Sequence, residues 1–320
     1  MFRIARALAF ALPFSLPVPP ASAAENYPLK PVRFVVPFAP GGVTDLLGRA
    51  VSDKLGEALG ATIIIDNRPG AGSTIGAALV ARATPDGYTF LLASASYTFT
   101  PSLYKDLPYD PLKDFKPITI VGSTPNFLVV HPSMPVRSVK EFIALARKRP
   151  GEILFGSGGH GSNIHLTMEL FAYMAGIKLA HVPYKGAGPA QVALMSGEVQ
   201  ALMPGSLSVL PFIRNGQIRA LAVTTRQRTP LLPELPTIDE AGVPGYDKSA
   251  WFALFAPAAV PEPIVARLYQ AVVRALKDPD VVKRLAAEGA SPGGQPPAEF
   301  DAFVRSELEL WAKLTRDMKL

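Results

Sequence analysis

Two stretches of the chain carry the residue types of an anion site. In "FVVPFAPGGVTDLLGRA" (34–50) an apolar, β-branched run ends at Pro37. The loop Ala39-Pro40-Gly41-Gly42 follows, and a helical pattern opens at Val43 or Thr44. In "EILFGSGGHGSNIHLTMELF" (152–171) the same order recurs, with Ser162 or Asn163 placed to cap the second helix. A helix start exposes unpaired backbone N–H groups and about half a positive charge. Glycine lets an anion reach those groups with no Cβ in the way. On the residues alone, each loop is either an anion cradle or a tight strand-to-helix turn whose glycines serve geometry only. Thr44 or Asp45 is placed to cap the first helix. Two more glycine-rich stretches precede helical patterns. "NRPGAGSTIG" (67–76) contains Ser73, and "VPYKGAGPA" (182–190) contains Lys185, a cation for an anion or a solvated lysine. Ser94, Ser96 and Thr98 offer hydroxyls after an apolar run, or form an ordinary turn.

Other chemistries have less support. Gly156, Gly158 and Gly161 match G-x-G-x-x-G, but a dinucleotide site needs an acid ~20 positions on. That region reads "IKLAHVPYKG", with Lys178 and Lys185 and no acid, so no nicotinamide or other cofactor is expected. No G-x-S-x-G, H-E-x-x-H or P-loop occurs. The chain has no cysteine, which removes thiolate nucleophiles, cysteine metal sites and disulfides. Of the four histidines, His131, His160, His165 and His181, the pair His160 and His165 are five apart and do not share a helix face. His165 and Glu169 do share one, but two ligands do not make a zinc site, and no metal is expected. A hydrolase built from Ser157, His165 and a distant Asp has only its spacing to support it. The expectation is a protein that is not an enzyme.

The elements that would position these loops alternate along the chain. Candidate strands are 32–36, 62–66, 90–93, 127–131, 153–155, 179–182 and 221–224, with candidate helices at 44–59, 75–83, 139–149, 163–175 and 188–196. Strands separated by such helices predict an α/β fold with mainly parallel sheets. After Pro261 two helical patterns dominate. Ile264, Leu268, Val272 and Leu276 form one apolar stripe, and Phe300, Phe303, Val304, Trp311 and Leu314 another; both are expected to pack in a core.

At the N-terminus Arg3 and Arg6 precede an apolar run from Ala7 to Val18, and Ala21-Ser22-Ala23 suits cleavage, so residues 1–23 read as a secretory signal peptide. The run is shorter than the ~18–20 residues of a spanning helix. Removal leaves 320 − 23 = 297 residues and takes the formal charge from +6 to +4. Without a clustered basic face, nucleic acid is not an expected partner.

The order of these segments resembles a known family over nearly the whole mature chain. Beside the two loops, it is carried by "IIIDNRPGAGSTIGAALVARATPDGYTFLL", "PSLYKDLPYDPLKDFKPIT", "HVPYKGAGPAQVALMSGEV", "LPFIRNGQIRALAVTT" and "LPTIDEAGVPGYDKSAWFALFAPAAVPEPIV". The family is the extracytoplasmic substrate receptors of tripartite tricarboxylate transporters, the Bug proteins. The resemblance implies a type II periplasmic-binding fold, two α/β lobes with a ligand cleft between them. Lobe 1 would comprise 24–124 and 226–320, with lobe 2 (125–225) inserted. The crossings would lie near 121–126 and 223–228. It implies a periplasmic, monomeric receptor that closes on a small carboxylate and delivers it to integral membrane transporter subunits. A ligand-presenting sensor for a signalling system is the alternative. By the same resemblance Gly42, Val43, Thr44 and Asp45 contact the ligand from lobe 1, with Phe38 walling the cleft. Ser157, Gly158, Gly161, Ser162 and His165 contact it from lobe 2, partly through water. Ser73, Ser96 and Lys185 complete the candidate set. Asp45 would repel an anion unless it caps its helix facing away. Gln200 and Pro204 stand where many members carry aspartates, which would suit a more apolar wall and a longer or aromatic acid.

Overall fold

The computed structural model describes residues 27–104, 106–287 and 289–318. The expected signal peptide lies outside the described residues. The first unit opens with β1 (Val32–Val36), buried along most of its length, as a strand covered on both faces must be. Helix α1 (Val43–Leu59) buries Leu47, Val51, Leu55 and Leu59, one residue per turn, and stops at Gly60, whose φ of 81° is left-handed. Then come β2 (Ile63–Asn67), α2 (Thr74–Ala81), β3 (Thr89–Ser94), α3 (Ser96–Leu103) and the long β4 (Phe115–Pro125).

The second unit begins one residue later with β5 (Phe127–Val130). It continues with α4 (Val139–Lys148), β6 (Leu154–Ser157), α5 (Asn163–Ala175), β7 (Ala180–Pro183) and α6 (Ala187–Ser196). It ends with β8 (Ala201–Leu202), α7 (Ser206–Arg214) and β9 (Arg219–Val223). The chain returns through β10 (Ser249–Pro257), α8 (Glu262–Leu276), α9 (Pro279–Ala287), β11 (Ser291–Pro292) and α10 (Pro297–Met318).

The strands form two sheets, in the orders β11-β4-β10-β3-β1-β2 and β7-β6-β8-β5-β9. Each sheet is the centre of one lobe. They are mixed rather than mainly parallel. The pairs β1–β2, β1–β3, β6–β7 and β6–β8 are parallel. β10 is antiparallel to β3 and β4, β11 to β4, and β5 to β8 and β9. β5 and β10 each enter their sheet from the other lobe, with no crossover helix to fix their direction, and β11 turns back onto β4 from within the first lobe. Neither β4 nor β10 stood out in the sequence. β4 carries Pro117 and Gly122, which weaken a strand pattern, and its register against β10 slips at two places.

The lobes meet at Asn126, the single residue between β4 and β5. Its N–H donates to Thr224 Oγ1 at 3.0 Å, its carbonyl accepts the Thr224 N–H at 3.0 Å, and its Nδ2 donates to the Met203 carbonyl at 2.9 Å. The return lies between Val223 and Ser249. On the way Thr237 bridges Val223 in parallel, and the Lys248 N–H donates to the Thr224 carbonyl at 2.9 Å. The C-terminal helices close the first lobe. Ile264, Leu268, Val272 and Leu276 are buried, as are Phe300, Val304 and Trp311. Trp311 sits edge-on to Phe99 at 4.3 Å, and its Nε1 donates to Glu307, which also pairs with Lys248 at 2.8 Å.

Candidate functional site

Helix α1 starts without a side-chain cap. Its N-cap residue is Gly42, extended at φ −77° and ψ 163°. The N–H groups of Val43, Thr44 and Asp45 open the helix with no carbonyl one turn before them. A Cβ at Gly42 would meet only the Ala39 carbonyl, at 3.5 Å, so this backbone is open to an incoming group. Asp45 is 2% exposed, with its carboxylate engaged inside the loop. Its Oδ2 accepts the Gly41 N–H at 2.9 Å, and Arg49 Nε lies 3.1 Å from both carboxylate oxygens. Burial pushes this carboxyl up, but the hydrogen bonds from Arg49, Gly41 and Asn67 outweigh it and hold it below the ordinary range. The charge of Asp45 is therefore spent on the loop itself.

Asn67, the last residue of β2, completes the frame. Its Oδ1 accepts from Arg49 at 3.3 Å and its Nδ2 donates to the Phe38 carbonyl at 3.0 Å. Phe38 is half-buried against the α1 core. Beside this loop, Ser73 begins α2 at φ 86°, a left-handed conformation that costs a serine about 1 kcal/mol. Ser96 is buried and its hydroxyl is 2.9 Å from that of Ser94, so the two serve each other.

Helix α5 starts differently. Ser162 Oγ accepts the His165 N–H at 3.3 Å, and His165 Nδ1 accepts the Gly161 N–H at 3.2 Å. The second lobe thus satisfies two of its loop N–H groups internally. Ser157 is fully buried. Its hydroxyl takes the Gly159 N–H at 3.0 Å and lies 2.6 Å from His181 Nε2. A Cβ at Gly158 would meet the Ala187 N at 3.4 Å, so the 182–188 loop packs on this one and carries the exposed Lys185 beside it. Burial and the neighbouring histidines push His165 down to about 3, and burial and His160 push His181 down to about 4, so both rings are neutral near pH 7. The serine–histidine contact therefore uses His181 and not His165. No carboxylate hydrogen-bonds the His181 ring among the described residues, which leaves out the orienting acid of a hydrolytic triad.

The two loops belong to facing surfaces. A Cβ at Gly161 would lie 2.9 Å from Leu103 Cδ1, and one at Gly72 would lie 2.8 Å from Tyr104 Oη. The end of α3 thus stands between the Ala71–Ser73 turn and the second-lobe loop. Deeper in, a Cβ at Gly205 would sit 3.9 Å from Val43 Cγ2 and 3.7 Å from Thr124 Oγ1. Thr124 Oγ1, Asn126 Oδ1 and Ser206 Oγ are buried polar atoms with no hydrogen-bond partner here. A cavity of about 400 Å³ also lies at the crossings, lined in part by Ser123, Thr124, Arg228, Thr229, Ser249 and Ser291. None of the expected loop residues lines it.

The sequence did not point to Asn67, Tyr104, Thr124, Asn126 or Ser206. Their signal is topological, since each becomes relevant only when the strand ends meet. Gln200 lies off the expected wall. Its carbonyl pairs with the His131 N–H at the end of β5 remote from Asn126, and its Oε1 holds the Leu154 N–H at 2.9 Å. Pro204, next to Gly205, is the substituted position that adjoins Val43.

Comparison with known proteins agrees with this architecture. The family described as "Tripartite tricarboxylate transporter family receptor" matches residues 47–320. Protein BugT of Bordetella pertussis is 38% identical over 296 residues, covering 92% of this chain and 91% of that protein. An R. palustris protein solved with adipate is 39% identical with a TM-score of 0.86, covering 92% of this chain and 99% of that one. MatC from Rhodopseudomonas palustris, solved with bound malate, is 34% identical with a TM-score of 0.80, covering 90% of this chain and 99% of that one. The chain belongs to the receptor family of the tripartite tricarboxylate transporters.

Proposed function

We propose that this receptor works in the periplasm after removal of residues 1–23. There it closes as a monomer on a small carboxylate and passes it to integral membrane transporter subunits. The uncapped start of α1 carries the reading. Gly42 leaves the first N–H groups of a 17-residue helix open, while the buried Asp45 is paired with Arg49 and holds the Gly41 N–H. A ligand carboxylate fits that end of the helix dipole. The relatives solved with adipate and malate support a ligand with two carboxylates. The orphaned Thr124 and Asn126 oxygens support a polar contact deeper in. On the second lobe, Ser157, Gly158, Gly161, Ser162, His165 and Lys185 would meet the far end of the ligand. Because that lobe's loop satisfies its own N–H groups, water bridges suit it better than a bare carboxylate. Ser73, held in its left-handed conformation, would contribute its hydroxyl from the first lobe, and Ser96 would contribute through its pair with Ser94.

The test is calorimetric titration with adipate, malate, an aromatic acid and the uncharged diamide of adipic acid. At least one acid binds and the diamide does not. Gly42 has a φ that any residue adopts, so Gly42→Trp folds and blocks the helix start. Loss of two charge-assisted contacts at about 1.5 kcal/mol each weakens binding roughly 100-fold. Equal affinity for the diamide, or unchanged affinity in Gly42→Trp, overturns the assignment. Uptake of the bound acid, lost when the gene is deleted, separates transport from signalling.

A further inference from the structure

Three of the four histidines in the chain meet beside the second sheet. His160 comes from the loop after β6, His165 from the first turn of α5, and His181 from β7, which is in parallel register with β6 so that His181 pairs with Phe155. One ring nitrogen of each lies within 4.8 Å of the other two. The His165 and His181 rings stack at 3.9 Å, and His160 lies 4.9 Å from His165. Of the two inner rings, His181 has a hydrogen-bond partner behind it and His165 a carboxylate just beyond hydrogen-bond distance. His181 Nε2 is 2.6 Å from the Ser157 hydroxyl. His165 Nδ1 accepts the Gly161 N–H, which leaves its proton on Nε2, 3.7 Å from Glu169. A hydroxyl or carboxylate on the far nitrogen is what orients a metal-bound imidazole. His160 is exposed, and its ring forms no hydrogen bond among the described residues.

We infer that His160, His165 and His181 bind a borderline divalent transition metal ion such as Zn²⁺ or Co²⁺, one ring nitrogen each, with His165 and His181 coordinating through Nδ1. Bonds of roughly 2.0–2.1 Å to a tetrahedral ion place its ligand nitrogens about 3.4 Å apart. The rings therefore draw together on binding. The exposed His160 swings furthest, and the Gly161 N–H releases Nδ1 of His165. An all-imidazole set excludes Mg²⁺ and Ca²⁺, which take oxygen ligands. Three protein ligands leave a fourth position for water or an anionic oxygen.

The test uses tag-free protein stripped with a chelator and freed of carboxylates. Co²⁺ is followed by its visible absorption and Zn²⁺ by calorimetry. One ion binds per chain. His160→Ala and His181→Ala each weaken binding about tenfold or more, Ser157→Ala weakens it by about tenfold through His181, and His131→Ala leaves it unchanged. His160→Ala changes an exposed side chain, so an unaltered melting curve establishes that it folds. No stoichiometric uptake, uptake equal for Mg²⁺, or full affinity in folded His160→Ala overturns the site. Carboxylate titration of the metal-free protein is a separate measurement, so failure here leaves the receptor reading standing.

Discussion

Replacing Asp45 by alanine isolates what the first loop owes to one carboxylate. The substitution removes the acceptor of the Gly41 N–H, a part-buried, charge-assisted bond worth about 1.5–3 kcal/mol. It also removes the pair with Arg49, which is half-exposed and so contributes only about 0.5 kcal/mol. A negative charge in the first helical turn adds roughly 0.5 kcal/mol more. The sum is about 3 kcal/mol, mostly from the single part-buried hydrogen bond. Asp45→Asn keeps an acceptor for Gly41 and loses only charge, so its cost is about 1 kcal/mol. The carboxyl is held below its ordinary value in the fold, so it contributes stability above the unfolded value of ~3.9 and loses it as pH falls through the lower folded value. Urea unfolding at pH 7 orders the proteins wild type, Asp45→Asn, Asp45→Ala. The gap between wild type and Asp45→Asn closes as the medium is taken below pH ~4. Equal stability of alanine and wild type at pH 7, or a gap that widens in acid, refutes the argument that Asp45 is the anchor of this loop.

Three other substitutions probe the frame. Ser73→Gly relieves the left-handed backbone and raises unfolding stability by about 0.5–1 kcal/mol, while removal of the hydroxyl lowers ligand affinity; thermal melting and titration read the two effects separately. Gly76→Ala places a Cβ 2.7 Å from Pro37 Cβ and 2.9 Å from the Arg68 carbonyl, so overpacking of about 2–3 kcal/mol overrides the ~1 kcal/mol gain in helix propensity, and the melting midpoint falls. Trp311→Ala opens a cavity against Phe99 and strips Glu307 of a donor, which lowers unfolding stability by about 3–5 kcal/mol in urea titration.

Local signals in the sequence located the elements on which the loops sit. β1, α1 and α5 combine strong apolar periodicity with clear stops, and their observed bounds lie within a residue of the expected ones. α3 shows only hydroxyls in the sequence, because "SYTFTPSL" carries the β-branched Thr98 and Thr100 and has Pro101 inside it. β4 and β10 depend on pairing across most of the chain, which periodicity does not report. Asp45 shows the same limit at the site. Its type and position suggest a cap, and its contacts with Gly41 and Arg49 are local, four residues to either side, but the framing by Asn67 at the end of β2 arises only through the β1–β2 register. The histidine cluster is the clearest case. His160 and His165 looked unrelated at a spacing of five, and His181 joins them because β6 and β7 lie side by side.

The place of β10 in the first sheet has a consequence for the order of folding. β10 lies between β4 and β3, yet it is made after the whole of the second lobe. A chain emerging N-terminus first, from a ribosome or an export channel, can pair β1, β2 and β3 early. The edge of β3 then stays open and β4 lacks its partner until Ser249–Pro257 arrives. The second lobe, contiguous from Phe127 to Val223, meets no such delay. It is expected to fold first, while the long loop closure of the first lobe sets the rate of the final step. An unpaired β3 edge in that interval is a template for association between chains, so this receptor's exposure to aggregation is concentrated in the time before its last quarter is released.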